Sequence, residues 1–288
     1  MKVALFGGTG FIGKELQKKL QAKGHEPVIL DLRRNADWES KLSACEAIVN
    51  LAGTSLFSKR WNNEIKSLIH SSRVEGTKKI VAALDKFKKA GRPYPKVLVN
   101  ASAIGFYGPS FDEVITESNP SGSDFLAFVC REWEEAAHAA QRQVGIRTAI
   151  VRIGVVLGRN GGALDQLLPP FRLGLGGPVG LGGKQWFSWV HVEDVCGLIL
   201  YALENDKVVG AVNAVAPNPV RNKDFAKTLG KVLSRPAFIP LPGLALYALL
   251  GEVAEILVNG QRVIPEKTQS LGYNFLYPDL EKALKNIV

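Results

Sequence analysis

Apolar and polar positions along the chain follow two periods in turn. Lys2 to Phe6 is a short apolar run of the kind that makes a buried parallel strand. Ile12, Leu16 and Leu20 then fall at helical spacing, and Gly24 ends that helix. Val28 to Leu30 reads as a second strand and Ala47 to Leu51 as a third. A long helix is expected from about Asn62 to Lys89 on Ile65, Ile69, Ile80 and Leu84, and the 91–95 stretch breaks it. Lys96 to Asn100 is the fourth strand. Another helix runs from about Asp124, a good capping residue, to Gln143. Arg147 to Ile153 and Ala211 to Ala216 supply two more strands. Strand alternating with helix in this order predicts an α/β fold, a doubly wound parallel sheet.

Beyond Ile153 the pattern changes. Residues 158–183 hold nine glycines together with Pro169, Pro170 and Pro178. Long structured loops in compact domains are usually functional, so 158–186 is expected to reach toward a substrate side. Pro219, Pro236, Pro240 and Pro242 punctuate the last quarter of the chain. The expected division is a sheet-bearing domain over 1–217 and a smaller helical lobe over 218–288, packed on one side of the sheet.

The first strand-to-helix turn carries the candidate chemistry. Gly7, Gly10 and Gly13 recur every three residues. The first permits a tight turn, the second admits a pyrophosphate to the backbone, and the third lets helix and strand approach. Thr9, Phe11 and Ile12 belong to the same turn, and the free N–H groups of the helix start face it. A triphosphate-binding loop is excluded, because Glu15 follows Lys14 where Ser or Thr must hold magnesium. Asp31, about 20 positions on, is placed to accept from adenosine ribose hydroxyls, which favours NAD. Arg33 and Arg34 follow at once and can hold the extra phosphate of NADP. The choice between the two cofactors stays open. Leu51, Ala52 and Gly53 end the third strand with little bulk, leaving room for a ligand.

Composition narrows the class. At 288 residues, 46% hydrophobic and 22% charged, the chain can bury a full core. The net charge of +9 collects partly in Lys18, Lys19 and Lys23 and in Lys86, Lys88, Lys89 and Arg92. No aromatic residues interleave with these clusters, so they read as solvated helix faces and no nucleic acid is expected. Apolar runs are too short or too interrupted to span a membrane, and the N-terminus reads as a strand rather than a signal peptide. Cys45, Cys130 and Cys196 are odd in number and widely spaced, which suggests neither disulfides nor a metal site and fits a cytoplasmic compartment.

GGTGFIG, NLAG, SAIGFYG, the Arg152-containing VRIGVVLG and WVHVEDV stand in the order seen in extended short-chain dehydrogenase/reductases. The chain resembles that family over essentially its whole length. More narrowly it resembles the sugar-nucleotide-epimerase-like branch, through Arg60-Trp61, the Ser72-Arg73 to Gly76-Thr77 segment, DFLAFVCREWE, RNGGAL, PFRLGLGG and GQRVIP. The resemblance implies a Rossmann domain, a nicotinamide dinucleotide, a small-molecule substrate and a C-terminal substrate lobe. Long helices of that family often pair into homodimers.

One departure stands out. The family's acid/base is a Tyr followed four residues later by Lys, and the lysine lowers the tyrosine's pKa and holds the ribose. Where that pair belongs this chain has Leu126 and Cys130, and residues 123–133 contain no Tyr or Lys. Ser102 and Tyr107 remain as candidate catalytic groups beside a nicotinamide. Tyr107 has the alternative role of packing its loop, and Cys130 that of a core residue. His191 and Asp194 are expected to brace a loop. Gln185, Trp186 and Trp189 are candidates to line a substrate pocket or, equally, to join lobe to sheet. Two functions are therefore carried forward. One is an NAD(P)-dependent oxidoreductase or epimerase-like enzyme. The other is a dinucleotide-binding sensor that has lost its acid/base.

Overall fold

The structure, a computed structural model, describes residues 1–33, 37–57, 59–180 and 182–288. Six parallel strands form its centre: β1 (Lys2–Phe6), β2 (Glu26–Leu30), β3 (Ala47–Asn50), β4 (Val97–Ala103), β5 (Arg147–Ile153) and β6 (Gly210–Ala214). Their spatial order is β6-β5-β4-β3-β1-β2. The register aligns Phe6 with Asn50, Asn50 with Asn100, and Ser102 with Arg152. These residues lie toward the carboxyl edge of the sheet.

Burial on both faces explains the apolar runs. Val3, Leu5, Val49, Val99 and Val151 pack under Leu16 and Leu20 of α1 (Phe11–Ala22) and Val195 and Ile199 of α6 (Val192–Glu204). On the other face Ala4, Phe6, Ile48 and Leu98 meet Leu42 of α2 (Trp38–Ser43) and Ile80, Leu84 and Phe87 of α3 (Asn63–Lys89). Alternation along a strand sends neighbouring residues to opposite layers, and here both layers are helical. The Asn62 side chain caps α3 by accepting from the Ile65 N–H at 2.8 Å. Asp124 does the same for α4 (Phe125–Ala139), accepting from Ala127 at 2.8 Å. These are the stabilising partners that a helix start lacks by itself.

The glycine-rich excursion holds a helix that the sequence pattern did not disclose. It is α5 (Gly162–Arg172), with Pro169 and Pro170 inside its last turns. Proline removes helix hydrogen bonds. Here the burial of Leu164 and Phe171 against Trp189, Phe225 and Leu229 outweighs that loss. Phe225 and Leu229 belong to α7 (Asn222–Leu233), and the helix Leu280–Ile287 returns to the same cluster. Leu157 joins that cluster too, so the last segment of the chain packs directly against the base of the excursion.

Candidate functional site

The topology creates one crevice directly. The chain leaves β1 through α1 to β2 on one side, then crosses over to β3 on the other. Ligands of open α/β sheets bind at such a reversal point, outside the carboxyl ends of the strands. The glycine turn after β1 and the Leu51–Gly53 turn after β3 meet there.

Their contact needs glycine. Gly7 has φ +77°, and a Cβ on it would lie 2.6 Å from the carbonyl carbon and oxygen of Leu51. A Cβ on Gly13 would lie 2.3 Å from the Gly7 carbonyl oxygen, so α1 sits directly on the turn. The Gly10 N–H donates to the Gly7 carbonyl at 3.1 Å, and Gln17 Nε2 donates to the Gly8 carbonyl at 2.7 Å. No side chain caps α1, and its starting N–H groups remain available to an anion. Thr9 and Gly10 are exposed, and Ile12 is part-buried. The Phe11 ring is covered by the excursion, close enough that a Cβ on Gly161 would be 2.3 Å from it.

On the other side of the crevice buried asparagines hold the β3 turn. Asn50 Nδ2 donates to Asn100 Oδ1 at 2.7 Å and to Thr77 Oγ1 at 2.9 Å. Asn50 Oδ1 accepts from the Ala52 N–H at 3.2 Å. Trp133 Nε1 donates to the same Thr77 hydroxyl at 3.0 Å, which ties α3 to α4. At the end of β2, Asp31 Oδ1 accepts from the Arg33 N–H at 2.8 Å. The Arg33 residue is exposed, and Arg34 lies outside the described residues.

Ser102 and Tyr107 meet in one buried network beyond β4. The Ser102 hydroxyl donates to Glu134 Oε1 at 2.6 Å. Arg152 grips the same carboxylate with two hydrogen bonds of 2.9 and 2.8 Å. Its third nitrogen donates to the Tyr107 hydroxyl at 2.9 Å, and that hydroxyl donates to Asn213 Oδ1 at 2.7 Å. The guanidinium also stacks 3.5 Å from the Phe106 ring centre. Burial pushes the Tyr107 phenol above its ordinary value, and the charge of Arg152 only partly offsets this. Asn213 lies on β6 and binds the Ile264 carbonyl at 3.0 Å, so the network reaches the C-terminal segment.

Around it, the other candidates take fixed places. Leu126 packs with Trp61, Ile65 and Val253, and Cys130 is buried in α4 with its thiol pushed up to about 11 by burial. A protonated thiol is a poor nucleophile. Gln185 Nε2 bridges the Val179 and Leu257 carbonyls at 3.1 and 2.9 Å. Trp186 carries the guanidinium of Arg221 at 4.0 Å from its ring centre and that of Arg262 at 4.7 Å. Trp189 is fully buried and donates to the Asn218 carbonyl at 3.2 Å, joining the sheet side to the last segment of the chain. His191 caps α6 by accepting from the Glu193 N–H at 3.1 Å. Asp194 accepts from the N–H groups of Leu276 and Tyr277 at 2.7 and 3.0 Å, and so braces a loop.

Three partners in this site were not singled out from the sequence. Glu134 had a legible signal, since it follows Cys130 by one helical turn on the apolar face of α4. Asn213 and Glu117 had none. Glu117 accepts from the N–H groups of Asn213, Lys267 and Thr268, segments distant from it in the chain.

A parallel doubly wound sheet with a glycine turn at its reversal point defines a Rossmann-type nucleotide-binding architecture. The chain belongs to the NAD dependent epimerase/dehydratase family, whose family model matches residues 3–214. A second model, a domain of unknown function called DUF1731, matches residues 241–287. The epimerase family protein SDR39U1 homolog, chloroplastic, of Arabidopsis thaliana is 42% identical over all of this chain and 87% of its own length. The human epimerase family protein SDR39U1 is 41% identical, with 100% of both chains covered. A crystal structure of the human protein (isoform 2) with NADPH superposes with a TM-score of 0.90 at 39% identity, covering 100% of this chain and 99% of that one. The extended short-chain dehydrogenase/reductase fold expected from the motifs is the fold observed.

Proposed function

We propose that this protein binds NADPH in the crevice between β1 and β3. We infer further that it passes hydride at an oxygen-bearing carbon of a small or nucleotide-linked substrate. The observation that carries the reading is the glycine turn, where Gly7 and Gly13 leave no room for a Cβ and the α1 N–H groups stay uncapped. That arrangement suits a pyrophosphate. The human relative's NADPH supports the phosphorylated cofactor. So does the end of β2, where one Asp31 oxygen turns into its own loop while Arg33 stands exposed.

Ser102 and Tyr107 are the hydroxyls nearest the end of β4 that such chemistry would use. A specific observation favours a second reading, a dinucleotide-binding sensor without its own acid. Both hydroxyls are committed to Glu134, Arg152 and Asn213, and α4 offers Leu126 and Cys130 instead of Tyr and Lys. One experiment addresses both readings. The purified protein is titrated with NADPH and NADH by fluorescence, then screened for single-turnover hydride transfer to sugars, sugar nucleotides, ketones and quinones. Binding with transfer that falls in Ser102→Ala or Tyr107→Phe supports the enzyme. Binding with no transfer supports the sensor. Failure to bind either dinucleotide overturns both.

A further inference from the structure

Past β3 and β4 the crevice is bounded by a wall to which neither reading above assigns a role. Three stretches distant in the chain build it, and each brings apolar side chains. Trp61, just before α3, and Val253 of the C-terminal segment are buried at its centre. Phe125 and Leu126 of α4, with Leu250 and Ile256, stand part-buried around them. Leu126 lies against the turn after β4, since a Cβ on Gly105 would be 3.4 Å from its own Cβ. The wall therefore borders the strand end that carries Ser102.

The polar groups beside it are engaged. Trp61 Nε1 donates to the Leu56 carbonyl at 2.9 Å. Arg60 donates to the carbonyl oxygens of Ala248 and Leu249. Lys66 pairs with Glu252 and lies 5.3 Å from the Phe125 ring centre. Both cations thus fasten the C-terminal segment to the start of α3. Outward, the apolar surface continues along α8 (Gly243–Leu250), whose sequence GLALYALL has no charged side chain. Only Leu246 of that helix is buried. Leu244 is 85% exposed and Leu249 65%, and Phe57, 51% exposed, stands on the loop whose Arg60 holds the last carbonyls of the helix. Scattered exposed leucines need no explanation, but a run of them continuous with a crevice marks a binding surface.

The chemistry of the wall selects its occupant. A nucleotide-linked substrate brings phosphates and sugar hydroxyls, which would lose water here without gaining partners. An apolar chain loses no hydrogen bonds and gains burial. We propose that the part of the substrate remote from the reacting carbon is apolar, a chain of methylene or isoprene units that runs from the end of β4 past Leu126 and out along α8. This rests on the reading of the crevice as the place where NADPH meets its substrate. It narrows the substrate to a lipid-like carbonyl or alcohol.

The test is a chain-length series. Protein saturated with NADP⁺, which cannot reduce a ketone, is titrated by calorimetry with 2-hexanone, 2-octanone, 2-decanone and UDP-glucose. Each added methylene should tighten binding about 3-fold, so that the ten-carbon ketone binds about 80-fold more tightly than the six-carbon one. UDP-glucose should bind at least about 100-fold more weakly than 2-decanone, as burial of its unpartnered polar groups implies. Leu126→Asn should weaken 2-decanone about 10-fold, with NADP⁺ binding unchanged. Leu249→Asp, at an exposed position that folding tolerates, should flatten the series so that the last two methylenes together add less than about 2-fold. It carries the test if melting curves show that Leu126→Asn does not fold. Affinity independent of chain length, or UDP-glucose bound as tightly as 2-decanone, overturns the inference while NADP⁺ binding leaves the crevice reading intact. An unchanged series in both variants overturns it too, since the ketones would then bind elsewhere. Size-exclusion chromatography of each variant checks the other use of α8. A dimer that Leu249→Asp turns into monomer, with the series unaltered, would make the helix an interface between copies and sink the inference. If wild type does not bind NADP⁺, the crevice reading falls and the inference with it.

Discussion

Glu134→Gln is the sharpest probe of the buried network. The substitution keeps shape and removes one charge. Glu134 and Arg152 have side chains only 6% exposed, and the contact is bidentate. Burial alone pulls the Arg152 guanidinium down, but its bonds and charge contact with Glu134 raise it to a net position above the ordinary value. Removing one partner of such a pair leaves an uncompensated buried charge, at a cost of about 3–5 kcal/mol. The glutamine keeps an acceptor for Arg152, so the lower end, about 3 kcal/mol, is expected. In a chain of this size each kcal/mol moves Tm by roughly 2–4 °C, which predicts a fall of about 6–12 °C. Urea unfolding followed by tryptophan fluorescence measures the loss directly, because Trp133 is the neighbour of Glu134. The double variant Glu134→Gln/Arg152→Met removes the stranded charge and should regain most of the loss. A single-variant loss under about 1 kcal/mol, the range of an exposed pair, would refute the reasoning. So would a double variant no more stable than Glu134→Gln.

Two further outcomes are expected of the site. Gly13→Ala should lower Tm by about 4–8 °C, since its Cβ meets rigid backbone at 2.3 Å, whereas Gly10→Ala meets only the Gly7 carbonyl at 3.3 Å and should lose NADPH affinity while melting close to wild type; melting curves and NADPH titrations of both variants check this. The three cysteines are buried, with the thiols of Cys130 and Cys196 pushed to about 11 and about 12 by burial, so a thiol reagent at pH 8 should label them only after unfolding. Because the folded state holds those protons more tightly than the unfolded chain, whose thiols ionise near 9.0, their contribution to stability is present below pH 9 and is lost as pH rises toward 11. Label uptake by native protein at pH 8, or urea midpoints that rise over that interval, would contradict it.

Much of the fold was legible because its signals are local. Apolar runs of strand length, 3.6-residue spacing in the helices and glycines every three residues each report on a few neighbouring positions. They predict the six strands, the long α3 and the cap at Asp124. The glycine turn at the sheet's edge was legible for the same reason, whereas the strand order and register came only from the structure. The α5 helix was not legible, because Pro169 and Pro170 signal a break and only burial against Trp189 and Phe225 overrides them.

The candidate site divides along the same line. The residue types at Gly7, Gly10 and Gly13 determine by themselves that a strand turns tightly into a helix with bare N–H groups. Ser102, Tyr107 and the absence of Tyr and Lys from α4 are also plain in the sequence. What those hydroxyls do was decided only in three dimensions. Glu134 from α4, Arg152 from β5 and Asn213 from β6 come together because parallel strands place the ends of distant segments side by side. Arg73 is the clearest case. In the sequence it is one basic residue on a helix with many, although it falls in line with Ile65, Ile69, Ile80 and Leu84 on the helix's buried face. Tertiary packing alone lays it over Trp133, against Gly53, and away from every carboxylate among the described residues. Charge is a property of a residue, but whether a charge is paired depends on which segments the fold brings within a few ångströms of it.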